Sequence, residues 1–172
     1  MKFESWDEVK MERKNASNKK SEGLMIKRKD SKYEVGRIKG NWWKWKIDPK
    51  TIDAVLTYAM RGHGRRTNLY TDYTFGLWNN GELVTFAKAY SGLTDKEIKE
   101  VDRFVKQNTI NKFGPVRQVK PQLVFEIAFE GVSLSSRHKS GVSVRFPRIL
   151  RQRHDKKITE ANSVKDLKKL LA

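Results

Sequence analysis

The stretch "DYTFGLWNNGELVTFAKAYSG", residues 72–92, decides the fold because it has the pattern of a β-hairpin. Asn80 and Gly81 lie between two runs in which apolar and polar residues alternate. Asn-Gly suits the two central positions of a tight hairpin turn, where both residues adopt positive φ. We therefore expect two adjacent antiparallel strands at this point of the chain.

Segments on both sides of this hairpin extend the β-rich pattern. The stretches 51–62, 122–135 and 141–153 are strand-like, and 163–172 has the pattern of a short amphipathic helix. Several strands with many turns and one internal helix predict a small β-barrel of the OB-fold type over residues 49–172. The fold class expected for the whole chain is mainly β with helices.

The internal helix is predicted over residues 94–109. Thr94 and Glu97 have the spacing of a capping box, in which each residue accepts a hydrogen bond from the other's backbone N–H. An apolar stripe at helical spacing predicts the buried face. Its members are Ile98, Val101, Phe104 and Val105.

Residues 1–48 have a different pattern and are predicted to form a separate unit. A helix is expected over 1–20, with Ser5 and Glu8 at capping-box spacing. Strands are expected over 22–29, 32–40 and 42–48. Pro49 cannot donate to a strand ladder, so the domain boundary is predicted at Asp48-Pro49.

The segment "GNWWKWKID", residues 40–48, alternates large aromatic side chains with lysines. In a strand, Trp42, Lys44 and Lys46 share one face, and the two lysines lie about 7 Å apart at roughly 3.3 Å per residue. Trp43, Trp45 and Ile47 fall on the other face and predict a core contact. Two close ammonium groups indicate an anion such as a phosphate between them. The alternative is a half-exposed strand whose lysines are solvated.

The charge of the chain indicates a polyanionic partner. Lys and Arg number 37 and Asp and Glu number 20, which gives a net charge of +17. Nucleic acid, an anionic membrane or nucleotide phosphates would suit this charge. The basic residues lie mainly in strand-like and turn-like segments rather than in a basic amphipathic helix, which favours nucleic acid.

Other features of the composition exclude several classes of protein. No apolar run approaches 18 residues and no signal-peptide pattern opens the chain, so we expect no membrane partner and a cytoplasmic, nucleoid-associated location. The absence of cysteine excludes disulfides and thiolate metal sites. Three histidines, His63, His138 and His154, lack ligand spacing and do not predict a metal site.

Three short motifs occur in an order that resembles a known superfamily. "EGLMIK" (22–27) precedes "WWKWK" (42–46) by about 15 residues, and "RFPRILRQRHDK" (145–156) follows much later. They resemble motifs IV, V and VI of the covalent nucleotidyltransferases, which comprise ATP-dependent DNA ligases, RNA ligases and mRNA capping enzymes. Longer strings are similar to the bacterial ATP-dependent DNA ligases in particular: "GHGRRTNLYTDYTFGLW", "AKAYSGLTD", "FGPVR", "LVFEIAFEG" and "SSRHKSGVSVRFPRI".

This resemblance implies a fold and a function. Residues 1–48 would be the end of an adenylation domain, and 49–172 would be an OB-fold DNA-binding domain that carries motif VI. The chain would be the C-terminal portion of a DNA ligase that seals nicks in duplex DNA, using ATP and Mg²⁺, through a lysine–AMP intermediate. The ligase would act as a monomer.

The resemblance also implies roles for individual residues. Glu22 would hold the catalytic metal, and Lys44 and Lys46 would act catalytically by binding the α-phosphate, with Arg37 and Lys39 adding to the phosphate field. Asp155 would orient its neighbours in motif VI rather than bind metal. Three cations of that motif would bind the leaving pyrophosphate: Arg151, Arg153 and Lys156.

Two glycine-bearing basic loops are predicted to contact the DNA backbone. They are "GHGRR", with Arg65 and Arg66, and "SRHKSG", with Arg137 and Lys139. A barrel core does not need such segments, whereas phosphate contacts commonly use arginine and lysine.

One expected motif is missing. The family's nucleophile is the lysine of a Lys-x-Asp-Gly motif, and no such motif occurs here. The chain is therefore expected to be inactive alone and to need an upstream adenylation segment as a partner. The alternative is a stand-alone, non-catalytic OB-fold DNA-binding module. An RNA ligase or capping-type relative is a third reading, which the bacterial-ligase-like strings disfavour.

Overall fold

The computed structural model describes residues 2–19 and 21–171. They form two compact units, Met1–Asp48 and Pro49–Ala172, so the division falls at the Asp48–Pro49 bond. Met1, Lys20 and Ala172 lie outside the described residues, and the ends of the helices predicted over 1–20 and 163–172 cannot be compared there.

The first unit contains one helix and a two-stranded antiparallel sheet. These elements are α1 (Trp6–Lys14), β1 (Gly23–Lys27) and β2 (Trp42–Lys46). The helix is shorter than predicted. Ser5 caps it by accepting a hydrogen bond from the backbone N–H of Glu8 at 3.3 Å, whereas the Glu8 carboxylate accepts from Glu4. Only half of the predicted capping box therefore forms.

The strand predicted over 32–40 is wrong. β1 pairs directly with β2, with Ile26 opposite Trp43, so the segment between them has no strand partner in this sheet. Gly36 and Gly40 adopt φ values of 97° and 99°, which break an extended run. The segment 28–41 is a loop with turns.

The core contact predicted for the Trp43 face is also wrong in part. Trp43 is 48% exposed, and Trp45 and Ile47 are only half-buried. A single helix over two strands cannot enclose three large side chains. Among the described residues of this unit, Ala16 is the one that is buried.

The second unit is built on five strands and confirms the predicted hairpin. β3 (Lys50–Arg61), β4 (Tyr70–Asn79) and β5 (Glu82–Ala89) are consecutive antiparallel neighbours. Asn80 and Gly81 adopt φ values of 50° and 86° in the β4–β5 turn. Two successive positive φ values match the twist of the flanking strands, which explains the Asn-Gly pair.

The remaining two barrel strands close the sheet. β8 (Val124–Phe129) pairs with β3, and β11 (Arg148–Gln152) pairs with β8. The backbone N–H of Ile149 then donates to the carbonyl of Ser91, just after β5, at 2.9 Å. A closed five-stranded barrel with a helix after its third strand is the OB-fold, so the predicted fold class is confirmed.

Helix α2 (Asp95–Gln107) follows the third barrel strand. Its bounds agree closely with the helix predicted over 94–109. The full capping box forms between Thr94 and Glu97. The predicted stripe packs on the barrel, with Ile98, Val101 and Val105 buried and Phe104 partly buried.

Two hairpins are inserted between barrel strands. β6 (Thr109–Phe113) and β7 (Val116–Val119) follow α2, and β9 (Gly131–Leu134) and β10 (Val142–Arg145) follow β8. The short helix α3 (Val164–Lys168) closes the unit.

No helix among the described residues is long and apolar enough to cross a membrane.

Candidate functional site

Three of the side chains predicted to bind phosphate or metal, those of Glu22, Lys44 and Lys46, lie around one small cleft. Its volume is about 190 Å³. Lys46 Nζ lies 3.5 Å from Glu22 Oε2, and both side chains are about two-fifths exposed, so they form an ion pair open to solvent. The lining residues are Ser21, Glu22, Gly23, Leu24, Met25, Lys44 and Lys46.

The register of β1 with β2 explains this arrangement. Gly23 lies opposite Lys46 and Met25 lies opposite Lys44, so both lysines share the face that carries the cleft. Gly23 has a φ of 138°, and a Cβ there would lie 2.3 Å from the carbonyl oxygen of Trp45. The glycine of "EGLMIK" therefore allows the two strands to approach beside Glu22.

The opposite face of β2 is held by the helix of the same unit. The guanidinium of Arg13 lies 5.4 Å from the ring centre of Trp45, and its Nε donates to the carbonyl of Lys46 at 2.7 Å. Arg13 Nη2 also pairs with Asp48 at 2.8 Å. Trp6 meets the same indole edge-on at 6.3 Å. Arg13 thus positions the backbone of the lysine strand, a role that the sequence did not indicate.

Trp42 lies on the lysine face and carries a further cation. Lys27 Nζ lies 4.1 Å from the ring centre of Trp42, a cation–π distance. The indole Nε1 of Trp42 donates to Ser31 Oγ at 3.1 Å. Lys27, to which the sequence gave no role, therefore extends the row of ammonium groups on this face.

Glu22 is the carboxylate residue that lines this cleft and could bind a metal ion. The described residues contain no group of three or more metal-ligating side chains. Mg²⁺ is commonly bound by one or two carboxylates together with substrate phosphates and water. Glu22 fits that mode, in which the nucleotide rather than the protein supplies most of the ligands.

Arg37 and Lys39, predicted to add to the phosphate field, are exposed in the loop 28–41. They therefore lie on the turn-rich loop that precedes β2.

The motif VI cations lie at the end of β11 and just after it, where carboxylates surround them. Arg151 pairs with Glu126 at 2.7 Å, and its side chain is 62% exposed. Arg153 Nη1 donates to both carboxylate oxygens of Asp53, at 3.0 and 2.9 Å. Lys156 Nζ reaches the same carboxylate at 2.6 Å.

Asp53, on β3, is the residue that sequence reasoning missed here. Its side chain is 8% exposed, and that of Arg153 is 15% exposed. A buried carboxylate needs paired cations, so Asp53 fixes the segment that follows β11. The signal that would have found it is an acidic residue inside an otherwise apolar strand, "TIDAVL".

Asp155 completes this network from the other side. Arg153 Nε and Nη2 donate to its two oxygens at 2.9 and 2.7 Å. The Arg153 guanidinium holds the pKa of the Asp155 carboxyl well below its usual range, and the same hydrogen bond raises the pKa of Arg153. Arg153 thus makes four hydrogen bonds to two carboxylates, and Asp155 orients it.

The two loops predicted to contact DNA are both exposed. Arg65 and Arg66 lie in a 3-10 turn between β3 and β4, and Arg66 pairs with Asp95 at 2.9 Å. Arg137 and Lys139 lie in the β9–β10 turn. That turn is closed by a hydrogen bond from the N–H of Gly141 to the carbonyl of His138 at 2.8 Å.

Comparison with known families identifies relatives of this chain. The family model described as the ATP dependent DNA ligase C terminal region matches residues 66–156. A probable DNA ligase of Koribacter versatilis is 48% identical over 141 residues, which cover 82% of this chain and 24% of that protein. A probable DNA ligase of Opitutus terrae is 40% identical over 160 residues, which cover 91% and 16%. The chain spans about a quarter or less of these relatives.

Solved structures support the fold. The ligase domain of M. tuberculosis LigD matches with a TM-score of 0.56 at 22% identity, over 84% of this chain and 48% of that one. A structure from a study of Lig E DNA ligases matches with a TM-score of 0.60 at 20% identity, over 89% and 48%. Both matches therefore support the fold described above.

Proposed function

The chain belongs to the family of ATP-dependent DNA ligase C-terminal regions, and from that premise we propose that it works within an enzyme that seals nicks in duplex DNA. The observation that carries this proposal is the convergence of Glu22, Lys44 and Lys46 on one cleft. An OB-fold barrel with cationic loops supports the DNA-binding part.

Lys44 and Lys46 would neutralise the phosphate that is transferred. Phosphoryl transfer depends on positioning and on fixed positive charge at the oxygens where negative charge accumulates. The two lysines lie on one face of a strand whose backbone is held by Arg13. Their ammonium groups are therefore attached to a fixed element rather than to a loop.

Glu22 would be the protein's carboxylate ligand to Mg²⁺. The bound ion would neutralise phosphate oxygens during transfer. The Lys46 ammonium that now lies 3.5 Å from Glu22 would then be available to the phosphate.

The nucleophilic lysine would come from an upstream segment. Its amine would attack the α-phosphorus of ATP and expel pyrophosphate, and AMP would then pass to the 5′-phosphate of the nick. The 3′-hydroxyl would attack that phosphate and expel AMP, which closes the phosphodiester.

The exposed apolar side chains of the first unit support such a partner segment. Trp6 is 64% exposed, and Met25 and Trp43 are each 48% exposed. By the strand register Met25 lies on the lysine face and Trp43 on the opposite face, and exposed apolar groups of this size are typical of surfaces that another segment covers.

Motif VI would contact the leaving pyrophosphate through its more exposed cations. Arg151 is 62% exposed and can leave its surface pair with Glu126 at small cost. Arg153 is largely engaged by Asp53 and Asp155, so its contribution would be to hold Arg151 and Lys156 in place. We also propose that the enzyme acts as a monomer and that it works in the cytoplasm, associated with the nucleoid.

The test joins this chain to an upstream segment that carries the missing lysine, taken from the Koribacter versatilis relative. Lys44→Ala and Lys46→Ala should each slow sealing of a nicked duplex about 100-fold or more, as loss of one preorganised charge contact does. Lys32→Ala, in the exposed loop of the same unit, is the matched control and should seal at the unmodified rate. Unmodified rates in both strand variants would end the phosphate-binding assignment.

A non-catalytic DNA-binding module is the second candidate, favoured by the net charge of +17. Both functions predict duplex binding that weakens linearly with the logarithm of salt concentration. The two functions differ in what they predict for the joined protein. It should seal nicked duplex DNA if the chain is part of a ligase, and it should not if the chain only binds DNA. The chain alone, incubated with labelled ATP, should form no covalent adenylate under either function.

A further inference from the structure

The β6–β7 hairpin and the end of β3 together carry a cationic surface that the motifs do not include. We call it the hairpin surface, and its members are Arg61, Lys112, Arg117 and Lys120. Between Asp102 and Glu126 the sequence has five cations and no acidic residue. Three of the five, Lys112, Arg117 and Lys120, lie in the hairpin or directly after it.

Strand pairing brings these cations together. β7 pairs with β3, with Val116 opposite Met60, and Arg61 lies opposite Tyr70 in the β3–β4 pair. The guanidinium carbons of Arg61 and Arg117 lie 5.8 and 6.0 Å from the centre of the buried Tyr70 ring. The two guanidinium groups are therefore within about 12 Å of each other, the sum of those distances.

The other two members lie on the hairpin itself, with Lys112 on the face of Arg117 and Lys120 at its base, directly after β7. Lys112 lies directly opposite Arg117 in the β6–β7 register. Lys120 follows β7, where its backbone N–H donates to the carbonyl of Asn108 at 2.9 Å. Like charges directly opposite one another destabilise a strand pair. A bound anion would relieve that repulsion.

Acidic side chains do not neutralise this surface. Nearby cations are paired: Arg66 with Asp95 at 2.9 Å, and Lys106 with Asp102 at 2.6 Å. Within residues 2–19 and 21–171, none of the four members of the hairpin surface has a carboxylate within ion-pair distance. Arg61, Lys112 and Lys120 are exposed, so they can reach a ligand.

We propose that the hairpin surface binds the phosphate backbone of duplex DNA, as a second contact beside the two basic loops. This rests on the proposed function. Duplex DNA presents one phosphate per about 3.4 Å of axis on each strand, so cations within about 12 Å of each other can meet phosphates that are close neighbours along the backbone. The contact carries no sequence information and fits an enzyme that acts at any nick.

The experiment measures binding of this chain to a labelled, nicked duplex of about 30 base pairs between 50 and 200 mM salt. The variant Arg61→Gln/Lys112→Gln/Arg117→Gln removes three members. The matched control, Lys96→Gln/Lys99→Gln/Lys165→Gln, removes the same charge from exposed, unpaired helical lysines. Each phosphate contact contributes about 0.9 to the log–log salt slope. We expect the slope of the first variant to fall by 2 to 3, about 0.9 for each of the three contacts, and its Kd to rise at least tenfold.

The control should change the slope by less than about 0.5, because it breaks no phosphate contact. Equal losses in both variants would overturn the proposal, since net charge alone would then explain them. A second variant, Lys112→Gln/Lys120→Gln, changes only exposed side chains and tests the surface without disturbing Tyr70. Its slope should fall by about 1 to 2.

Other outcomes separate the proposal from the proposed function. If the unmodified chain binds DNA and both hairpin variants bind equally well, the hairpin surface is refuted and the loops remain. If the unmodified chain shows no salt-dependent DNA binding, the proposed function fails first. If the variants lose binding to vesicles of phosphatidylserine and phosphatidylcholine but keep DNA binding, the partner is a membrane and the proposal is wrong.

Discussion

Replacement of Asp53 by asparagine tests the ion-pair network that holds motif VI. The substitution keeps the size of the side chain and removes its charge. Arg153 and Lys156 would lose the carboxylate that both now contact, at 2.9 and 2.6 Å respectively. We expect the second unit to lose stability, because Arg153 and Lys156 each lose a buried carboxylate partner.

The exposure of the three side chains sets the size of the effect. Asp53 is 8% exposed, Arg153 is 15% exposed and Lys156 is 29% exposed. Removal of one partner from a buried ion pair costs about 3–5 kcal/mol. Lys156 can recover water and Arg153 keeps Asp155 as a partner, so the lower end, about 3 kcal/mol, is expected.

Urea unfolding of the chain, followed by tryptophan fluorescence and circular dichroism, measures this loss. With a slope of about 2 kcal/mol per molar urea, the midpoint of the barrel transition should fall by about 1.5 M. Glu126→Gln is the matched control, since it breaks the exposed pair with Arg151, and it should cost less than about 1 kcal/mol. An Asp53→Asn midpoint equal to that of the control would refute a structural role for the Asp53 network.

Three further substitutions test the barrel, each by urea unfolding. Gly92→Ala places a Cβ 1.8 Å from the Ile149 carbonyl oxygen at a φ of 114° and should cost about 3 kcal/mol or more; a near-neutral result would contradict the barrel closure. Thr94→Ala removes the cap shared with Glu97 and should cost about 1 kcal/mol; no loss would mean that the cap is not stabilising. Burial raises the pKa of Tyr73, so stability is present below about pH 10 and is lost as the pH rises. Tyr73→Phe should remove that alkaline loss, while the missing hydrogen bond lowers stability by about 1 kcal/mol at neutral pH; an unchanged alkaline loss would exclude Tyr73 as its source.

Local pattern predicted the β4–β5 hairpin and α2 of the second unit well, but it did not predict the β6–β7 hairpin. The Asn80-Gly81 turn and the Thr94 capping box each depend on residues within a few positions of one another, so the sequence carries their full signal. The apolar stripe of α2 is likewise a periodic feature of the sequence. It can pack against the apolar surface of the barrel without a specific partner residue.

The first unit was predicted less well. Alternation over 32–40 indicated a strand, but a strand exists only where a neighbour pairs with it, and β1 pairs with β2 instead. Alternation also assigned Trp43 to a buried face. Burial depends on a second layer that covers that face, and Trp43 remains 48% exposed.

The sequence by itself determined the order of the OB-fold elements, the strong positive charge and the placement of Lys44 and Lys46 on one strand face, because composition and period 2 are local properties. Only the tertiary structure decided which cations are neutralised and which are free for a ligand. Arg153 meets Asp53 across 100 positions of sequence. That meeting follows from the register of β3, β8 and β11. Ion pairing depends on distances of a few ångströms, and such distances between remote residues are set by the closure of the barrel and not by spacing along the chain.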